Sequence, residues 1–527
     1  MGQFTRIVLL PALLALPAAL AAQQQQPVAD GAVAAESATA PMPDMAAIEQ
    51  AWKRADYVFV RQGLKRHAEQ TGTALAQYRY GRVLLEGKGG PRDVEAARVW
   101  LERAVEQNSA DAAVLLGRIY LSGEKGSPYD RPERAAELFA NAAARGMPEA
   151  QYYLALLKRE GHGTEKDLKG AFNWFLAAAE GGHVPAQYEL SKALSRGEGT
   201  KLNTEQAAHW LRTAAEAGHT EAQFFMAVAL DTGNGMERNR DEALDWLRRS
   251  AEGGLVMAQR SLGRKYLIGD SVQSDADEAL RWLTEAAKRN DTLAMVDLGR
   301  AYLSGTTFVS DPARAWAWFQ RASDDGYAPA TTALARMAED GTGDAPDLAK
   351  AVRLYRKALA QGDQSVAPHL GQLAGAGKLD GLAPPHYAVP WAMAAAQQGD
   401  KAALSWVEAQ AQDGLRPAQT ALAQWYLDAG DRLEEAAQLF ETAAVAGDVA
   451  AQYQLGVMLT KGQGVAQDYV QAHKWLNIAA ASGHAEAAKF RGVISDLMTA
   501  EQITQAQRAA RAYFDEIRAM PAAEVVK

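Results

Sequence analysis

The stretch "AAEAGHTEAQ", Ala214–Gln223, sets a Gly-His pair among alanines, and nearly the same words stand at two other places. Ala178–Gln187 reads "AAEGGHVPAQ", and Ala479–Ala488 reads "AAASGHAEAA". The first two copies are offset by 36 residues, so His219 belongs to a repeat before it belongs to any chemistry. Tryptophan carries the register further. Trp174, Trp210, Trp246, Trp282 and Trp318 follow one another at 36-residue steps, and Leu354 continues them. Trp100 and Leu138 hold the place earlier in the chain; Trp391, Leu439 and Trp475 hold it later. Eight of the 12 tryptophans thus share one repeat position, which marks them as packing residues.

Eight residues beyond each anchor stands Gly or Asn, from Asn108, Gly146, Gly182 and Gly218 through to Gly483. Both residue types tolerate the left-handed backbone that ends a helix. The run before each terminator, such as "EALDWLRRSAEGG" (Glu242–Gly254), has apolar residues at helical spacing and predicts a helix, here called B. Ahead of it, "AQFFMAVALDTG" and "AMVDLGRAYLSG" predict a helix A with small residues where neighbours must approach. Gly-x-Gly loops ("GHG", "GEG", "GNG", "GTG", "GQG") join A to B. A helix–loop–helix of this size cannot bury its own apolar stripe and must stack on the next copy. The expected fold is all-α: a right-handed α-solenoid of stacked helix–loop–helix repeats of about 36 residues. In this reading Gly218 ends helix B, and His219 starts the following loop.

The composition allows this. The chain has 527 residues, 48% hydrophobic and 23% charged, in line with a soluble array. A net charge of −9 argues against general affinity for nucleic acid. The absence of cysteine excludes disulfides, thiolate metal sites and cysteine nucleophiles, and leaves no lipobox for a lipid anchor. The opening "MGQFTRIVLLPALLALPAALAAQQQQP" reads as an export signal: Arg6, an apolar run from Ile7 to Leu20, and an A-x-A site at Ala19–Ala21. Cleavage near Ala21 or Ala22 would place the chain in the periplasm or outside the cell, with no stable membrane span in the mature chain.

The pattern "AQYxLGxxYxxG…A…WxxxAAxxGHxxA" resembles the Sel-like repeat family, a relative of tetratricopeptide repeats, over about Ala76 to Ala488. The ending "AAKFRGVISDLMTAEQITQAQRAARAYF" resembles the closing helices of exported bacterial members, with Thr499 and Gln502 spaced for a capping box. The expected order is a signal peptide over 1–22, a disordered lead-in over 23–45, and capping helices over 46–75. Regular repeats follow over 76–374, an irregular bend or interrupted repeat over 375–415, and more repeats over 416–488. Capping helices over 489–518 and a tail over 519–527 complete it. In the irregular region Trp406 and Gly414 repeat the anchor spacing only 15 residues after Trp391, which leaves one helix without a full partner.

Motifs for catalysis are missing. There is no Walker A sequence, no H-E-x-x-H and no third glycine for a dinucleotide loop. Ser122-Gly123-Glu124-Lys125 matches S-x-x-K but sits in a repeat loop without a K-T-G partner. The reading is a non-enzyme with no cofactor, no metal and no catalytic residue. The resemblance implies an exported scaffold or adaptor that mediates protein–protein interactions among cell-envelope proteins. Two alternatives stand beside it: a solenoid that binds carbohydrate such as exopolysaccharide or peptidoglycan, and, as a minor one, a cell-wall or β-lactam hydrolase. Counting each helix A from its opening alanine, the sixth-following residue is Arg82, Arg118, Lys192, Arg264, Arg300 or Arg336, with Leu156 and Val228 interrupting. Helical geometry turns this position off the apolar stripe. These six cations form the candidate groove for a protein partner or an anionic polysaccharide, unless each is paired with a neighbouring carboxylate.

Overall fold

The computed structural model describes residues 43–123 and 126–519. The expected export signal, the lead-in up to residue 42, Glu124 and Lys125 of the S-x-x-K match, and the tail after residue 519 lie outside the described residues. The chain divides into two compact units, one ending at Gln273 and the other beginning at Ser274. In the first unit the helices are α1 Met45–Lys53, α2 Tyr57–Thr71, α3 Ala74–Glu86, α4 Val94–Glu106, α5 Ala110–Leu121, α6 Pro132–Ala144 and α7 Pro148–Glu160. It continues with α8 Leu168–Glu180, α9 Val184–Arg196, α10 Thr204–Glu216, α11 Thr220–Thr232, α12 Arg240–Glu252 and α13 Val256–Ile268. The second unit holds α14 Ala276–Lys288, α15 Thr292–Ser304, α16 Pro312–Asp324, α17 Ala328–Asp340, α18 Leu348–Ala360, α19 Ala367–Gly375 and α20 Pro385–Gln397. It ends with α21 Lys401–Gln412, α22 Arg416–Ala429, α23 Leu433–Val445, α24 Val449–Lys461, α25 Tyr469–Ala481, α26 Ala485–Ser495 and α27 Ala500–Ala519. Among the described residues there is no strand. Each unit is a stack of helix–loop–helix repeats.

Residues Ala214–Gln223 form a self-contained clip between a helix B and the next helix A. Gly218 has φ +90°, and every one of the Gly or Asn terminators also lies at positive φ, from Asn290 at +61° to Gly362 at +103°. The turn lets the His219 N–H donate to the Ala214 carbonyl, 3.0 Å away, which satisfies one of the orphan acceptors at the end of α10. His219 is not the start of a loop, contrary to the expectation. The turn is so short that this residue is already the N-cap of α11, and its Nδ1 accepts from the Ala222 N–H at 3.3 Å. His183 and His484 cap α9 and α26 in the same way. Gln223 closes the clip from the other side: its Nε2 donates to the Ala215 carbonyl at 3.1 Å. Buried Gln151, Gln187, Gln259, Gln419 and Gln452 repeat that bond across their own turns.

The helix A stripe is as expected; Ala222, Met226 and Leu230 of α11 are all buried. On helix B the tryptophan position needs refining. Trp246, Trp282 and Trp475 are buried, whereas Trp100, Trp174, Trp210, Trp318 and Trp391 are half-buried. The deepest position is the next residue, occupied by Leu101, Phe139, Phe175, Leu283, Phe319, Tyr355 and Phe440. A ring as long as indole reaches from the core to the surface, and cations lie over its outer face: Arg103 on Trp100, Arg249 on Trp246 and Arg321 on Trp318. The second glycines Gly163, Gly199 and Gly464 serve close approach, and a Cβ at Gly199 would overlap the Leu168 carbonyl at the start of α8; at Gly235 a Cβ would meet nothing within 4 Å.

At the far end, α26 and α27 are separated by a reciprocal capping box. The Gln502 N–H donates to Thr499 Oγ1 at 3.3 Å, and the Thr499 N–H donates to Gln502 Oε1 at 2.9 Å. Helix α27 packs on α25 through Tyr513 against Trp475, and the Tyr513 hydroxyl reaches past it to donate to the Ala444 carbonyl at the end of α23, 3.0 Å away.

Candidate functional site

The six candidate cations stand at one register position of helix A, on α3, α5, α9, α13, α15 and α17. Arg82, Arg264, Arg300 and Arg336 are exposed, and Arg118 and Lys192 are half-buried. Their surroundings differ. Arg82 Nε donates to Glu86 Oε1 at 2.7 Å within its own helix. Arg118 reaches Glu149 at the start of the next helix A, 3.3 Å away. Lys192 donates to Glu189 Oε1 at 2.8 Å and lies over the Tyr188 ring. Arg264 also has a partner. Among the described residues, Arg300 and Arg336 make no ion pair; Arg336 acts on Asp363 through space. The ion pairs of Arg82, Arg118 and Lys192 all lie in the first unit, and the two cations without an ion pair lie in the second.

Carboxylates that hold the row are themselves tuned by it. Burial opposes charge on Glu189, yet Lys192 and Arg159 outweigh it and hold the carboxyl below its usual range. Arg159 bonds Glu189 at 2.6 Å from the preceding helix A, so one carboxylate ties two repeats together. The two interruptions of the row, Leu156 and Val228, differ from each other: Leu156 is buried and Val228 is exposed. Beside Val228, Phe225 is exposed as well, and its ring stacks on Tyr188 at 6.1 Å. The outward face of the first unit is therefore mixed, with cations on α3, α5, α9 and α13 and apolar groups on α11.

Sequence reasoning missed what holds each histidine cap. The His183 ring packs on Tyr152 and the His219 ring on Tyr188, both at 4.7 Å between centroids, while His484 stacks on Tyr453 at 4.3 Å. Each tyrosine lies on the preceding helix A, so the pair ties successive repeats together. The available signal was a constant Tyr-to-His separation of 31 residues. Burial pushes His183 down to about 4 and also lowers His219, whose neighbours Glu221 and Glu189 act against that change. Both rings are therefore neutral at pH 7, as an accepting Nδ1 requires. Among the described residues no group of three or more His, Asp or Glu side chains could hold a metal ion, and no helix is long and apolar enough to cross a membrane.

A sequence profile described as Sel1 repeat matches residues 74–109, 110–147, 148–183, 184–219, 220–255, 256–291, 292–327, 328–363 and 449–484, more than half of the chain. Among solved structures, the chain is similar to c5321, a protective antigen of uropathogenic Escherichia coli strains displaying an SLR fold. The identity is 28% and the TM-score 0.54, over 86% of this chain and 94% of that one. A Sel1 repeat protein from Oxalobacter formigenes is 29% identical over 47% of this chain and 96% of its own, with a TM-score of 0.40. Curated relatives match over single blocks. Alginate biosynthesis protein AlgK of Azotobacter vinelandii is 36% identical over 93 residues, 18% of this chain. Chitin synthase regulatory factor 3 of Schizosaccharomyces pombe is 30% identical over 106 residues, 20% of this chain. The matched parts span only 19% and 11% of those two relatives' own lengths.

Proposed function

Because the chain belongs to the Sel1 repeat family, we propose that it is an exported scaffold or adaptor of the bacterial cell envelope, binding protein clients along the outward face of its A helices. The observation that supports this reading is that one register position of helix A carries a cation on α3, α5, α9 and α13 in the first unit and on α15 and α17 in the second, with α7 and α11 interrupting the first set. Exposed guanidinium groups on rigid, regularly spaced helices suit a partner with acidic side chains, since Arg presents a planar fork to a carboxylate. Similarity to the antigen of uropathogenic E. coli supports the bacterial setting, and the opening "RIVLLPALLALPAALAA" supports export. A short block shared with an alginate biosynthesis protein keeps an anionic polysaccharide as the other occupant to be tested.

The test treats the two units separately. One variant carries Arg118→Gln, Lys192→Gln and Arg264→Gln; the other carries Arg300→Gln and Arg336→Gln. Proteins captured by cross-linking inside the envelope are identified first, and their affinities for each purified variant are then measured against salt. The expected result is an unchanged fold, weaker binding and a flatter salt dependence in at least one variant. Affinity unchanged in both variants removes the row from the reading. Retardation by alginate, with no protein captured, replaces the protein client by a polymer.

A further inference from the structure

Helix α1 has 9 residues, whereas α5 has 12 and α7, α9, α11 and α13 have 13 each. It stands where a helix A of a preceding repeat would stand, packed on α2, which in turn packs on α3. Being about one turn short, it does not fill the groove beside α3, and a cavity of about 150 Å³ remains. Ile48 and Trp52 of α1, Leu64 of α2 and Val83 of α3 make its apolar wall. Arg79 and Arg82 of α3 stand at it with Glu49 of α1.

The charges around this cavity do not cancel. Arg79 meets Glu49 only at 3.7 Å, with side chains 36% and 63% exposed, a loose surface pair. Arg82 engages Glu86 through Nε, and Glu86 is shared with Lys88 at 2.9 Å. Lys88 lies over the Trp52 ring at 4.4 Å. Three cations thus face two carboxylates, one net positive charge beside an apolar wall. A guanidinium has five N–H donors, so the contacts of Arg79 and Arg82 leave donors for a ligand. The cavity of about 150 Å³ opens to solvent beside Glu49, Arg79 and Arg82, and its apolar wall offers contact to a benzene-sized body.

From this combination we propose that the α1–α3 groove is a binding site for a monoanion: a carboxylate carrying one compact apolar group. The carboxylate lies between Arg79 and Arg82, displacing Glu49, and the apolar group enters against Ile48, Trp52, Leu64 and Val83. Two sources share this chemistry, a small branched or aromatic carboxylic acid and the C-terminal residue of a chain ending in leucine or a similar residue. The site needs only the first three helices and stands whether or not the rest of the cation row binds a client.

The experiment uses the full chain labelled with 5-fluorotryptophan, with the Trp52 resonance assigned through Trp52→Phe. The probes are 4-methylpentanoate, N-acetyl-Gly-Leu with a free carboxylate, and the same peptide amidated. The expected result is that at least one free acid shifts the Trp52 resonance saturably and the amide does not. Arg79→Gln, at a partly exposed position outside the cation row, weakens binding about tenfold or more with an unchanged melting curve. A response to the small acid alone identifies a metabolite site; a response to the peptide alone identifies a chain end. The proposal is overturned by equal shifts from acid and amide, by Trp52 unmoved at millimolar probe, or by undiminished affinity in Arg79→Gln.

Discussion

The same substitution at the same repeat position should have opposite effects in two copies. The fifth residue after the opening alanine is Gly299 in α15 and Gly492 in α26. A Cβ at Gly299 would stand 2.7, 2.8 and 2.9 Å from three ring atoms of Phe319 on the partner helix α16. Carbon atoms prefer about 3.5–4.0 Å, so the ring must retreat by most of an ångström. It has little room to do so, because Phe319 is 1% exposed and close-packed. Overpacking of this kind costs roughly 1–3 kcal/mol, offset by the roughly 0.5–1 kcal/mol that alanine gains over glycine within a helix. Gly299→Ala should therefore lose roughly 1–2 kcal/mol.

At Gly492 a Cβ would meet nothing within 4 Å, because among the described residues no helix B covers that face of α26. Only the helix propensity remains there, and Gly492→Ala should gain about 0.5–1 kcal/mol. Hydrogen exchange read by mass spectrometry separates the two, since it reports local opening in each part of the stack. Peptides from α15 and α16 should exchange roughly 5- to 30-fold faster in Gly299→Ala. Peptides from α26 should exchange about two- to fivefold slower in Gly492→Ala. If Gly492→Ala is as damaging as Gly299→Ala, the face of α26 is covered and the assignment of an open last repeat is wrong.

Three further outcomes are expected. Trp246→Ala removes a buried ring that donates to Glu242 at 3.2 Å; it should cost roughly 3–5 kcal/mol by urea denaturation, and unchanged stability would contradict its packing role. His183 has a folded pKa of about 4 against an ordinary 6.5, so its contribution is complete above pH 6.5 and is lost as the pH falls towards 4. Allowing for solvent screening of a partly open ring, wild type should lose about 1–2 kcal/mol more over that interval than His183→Asn, whose cap does not titrate; parallel pH curves would refute this. N-terminal sequencing of the native protein should begin near Ala22 or Gln23, and an intact Met1 on cytoplasmic protein would remove export.

What the sequence disclosed followed from repetition. A terminator such as Gly218 stood out because its left-handed backbone admits few residue types, so the same letters recur at a fixed step. The apolar stripes were legible for the same reason. The depth of the tryptophans was not, because a long ring can share one register position and still be buried in Trp282 and half-exposed in Trp318. The row of cations was legible as an outward position, but not the partners of each member. Lys192 turns back to Glu189 on its own helix, and Arg118 crosses to Glu149 on the next. Those choices depend on side-chain reach across a turn, which periodicity does not encode. The α1–α3 groove was hidden for a different reason: it arises from a helix being too short, and the repeat register does not extend to α1.

The helix between α20 and α22 shows how a single helix can enter an array built of pairs. Helix α21 begins as a helix A does, one residue after the terminator Gly399, with Asp400 as a cap bonded to the Ala403 N–H at 2.9 Å. It ends as a helix B does, with Gly414 at φ +87° eight residues past Trp406 and the N-cap of the next helix, Leu415, directly after it. The two roles are compatible because they need the same stripe. Ala403, Val407 and Ala411 are buried at steps of four, which is the spacing of a helix A core and equally the spacing around a helix B anchor. No Gly-x-Gly loop is then required. The insertion is made tight by glycine on α19. A Cβ at Gly375 would stand 2.6 Å from the Ala403 nitrogen, and one at Gly371 would overlap the Trp391 carbonyl of α20. Consecutive helices joined by such short turns run antiparallel. One unpaired helix therefore moves the A-to-B loops after it, beginning with residues 430–432, to the opposite edge of the second unit's stack.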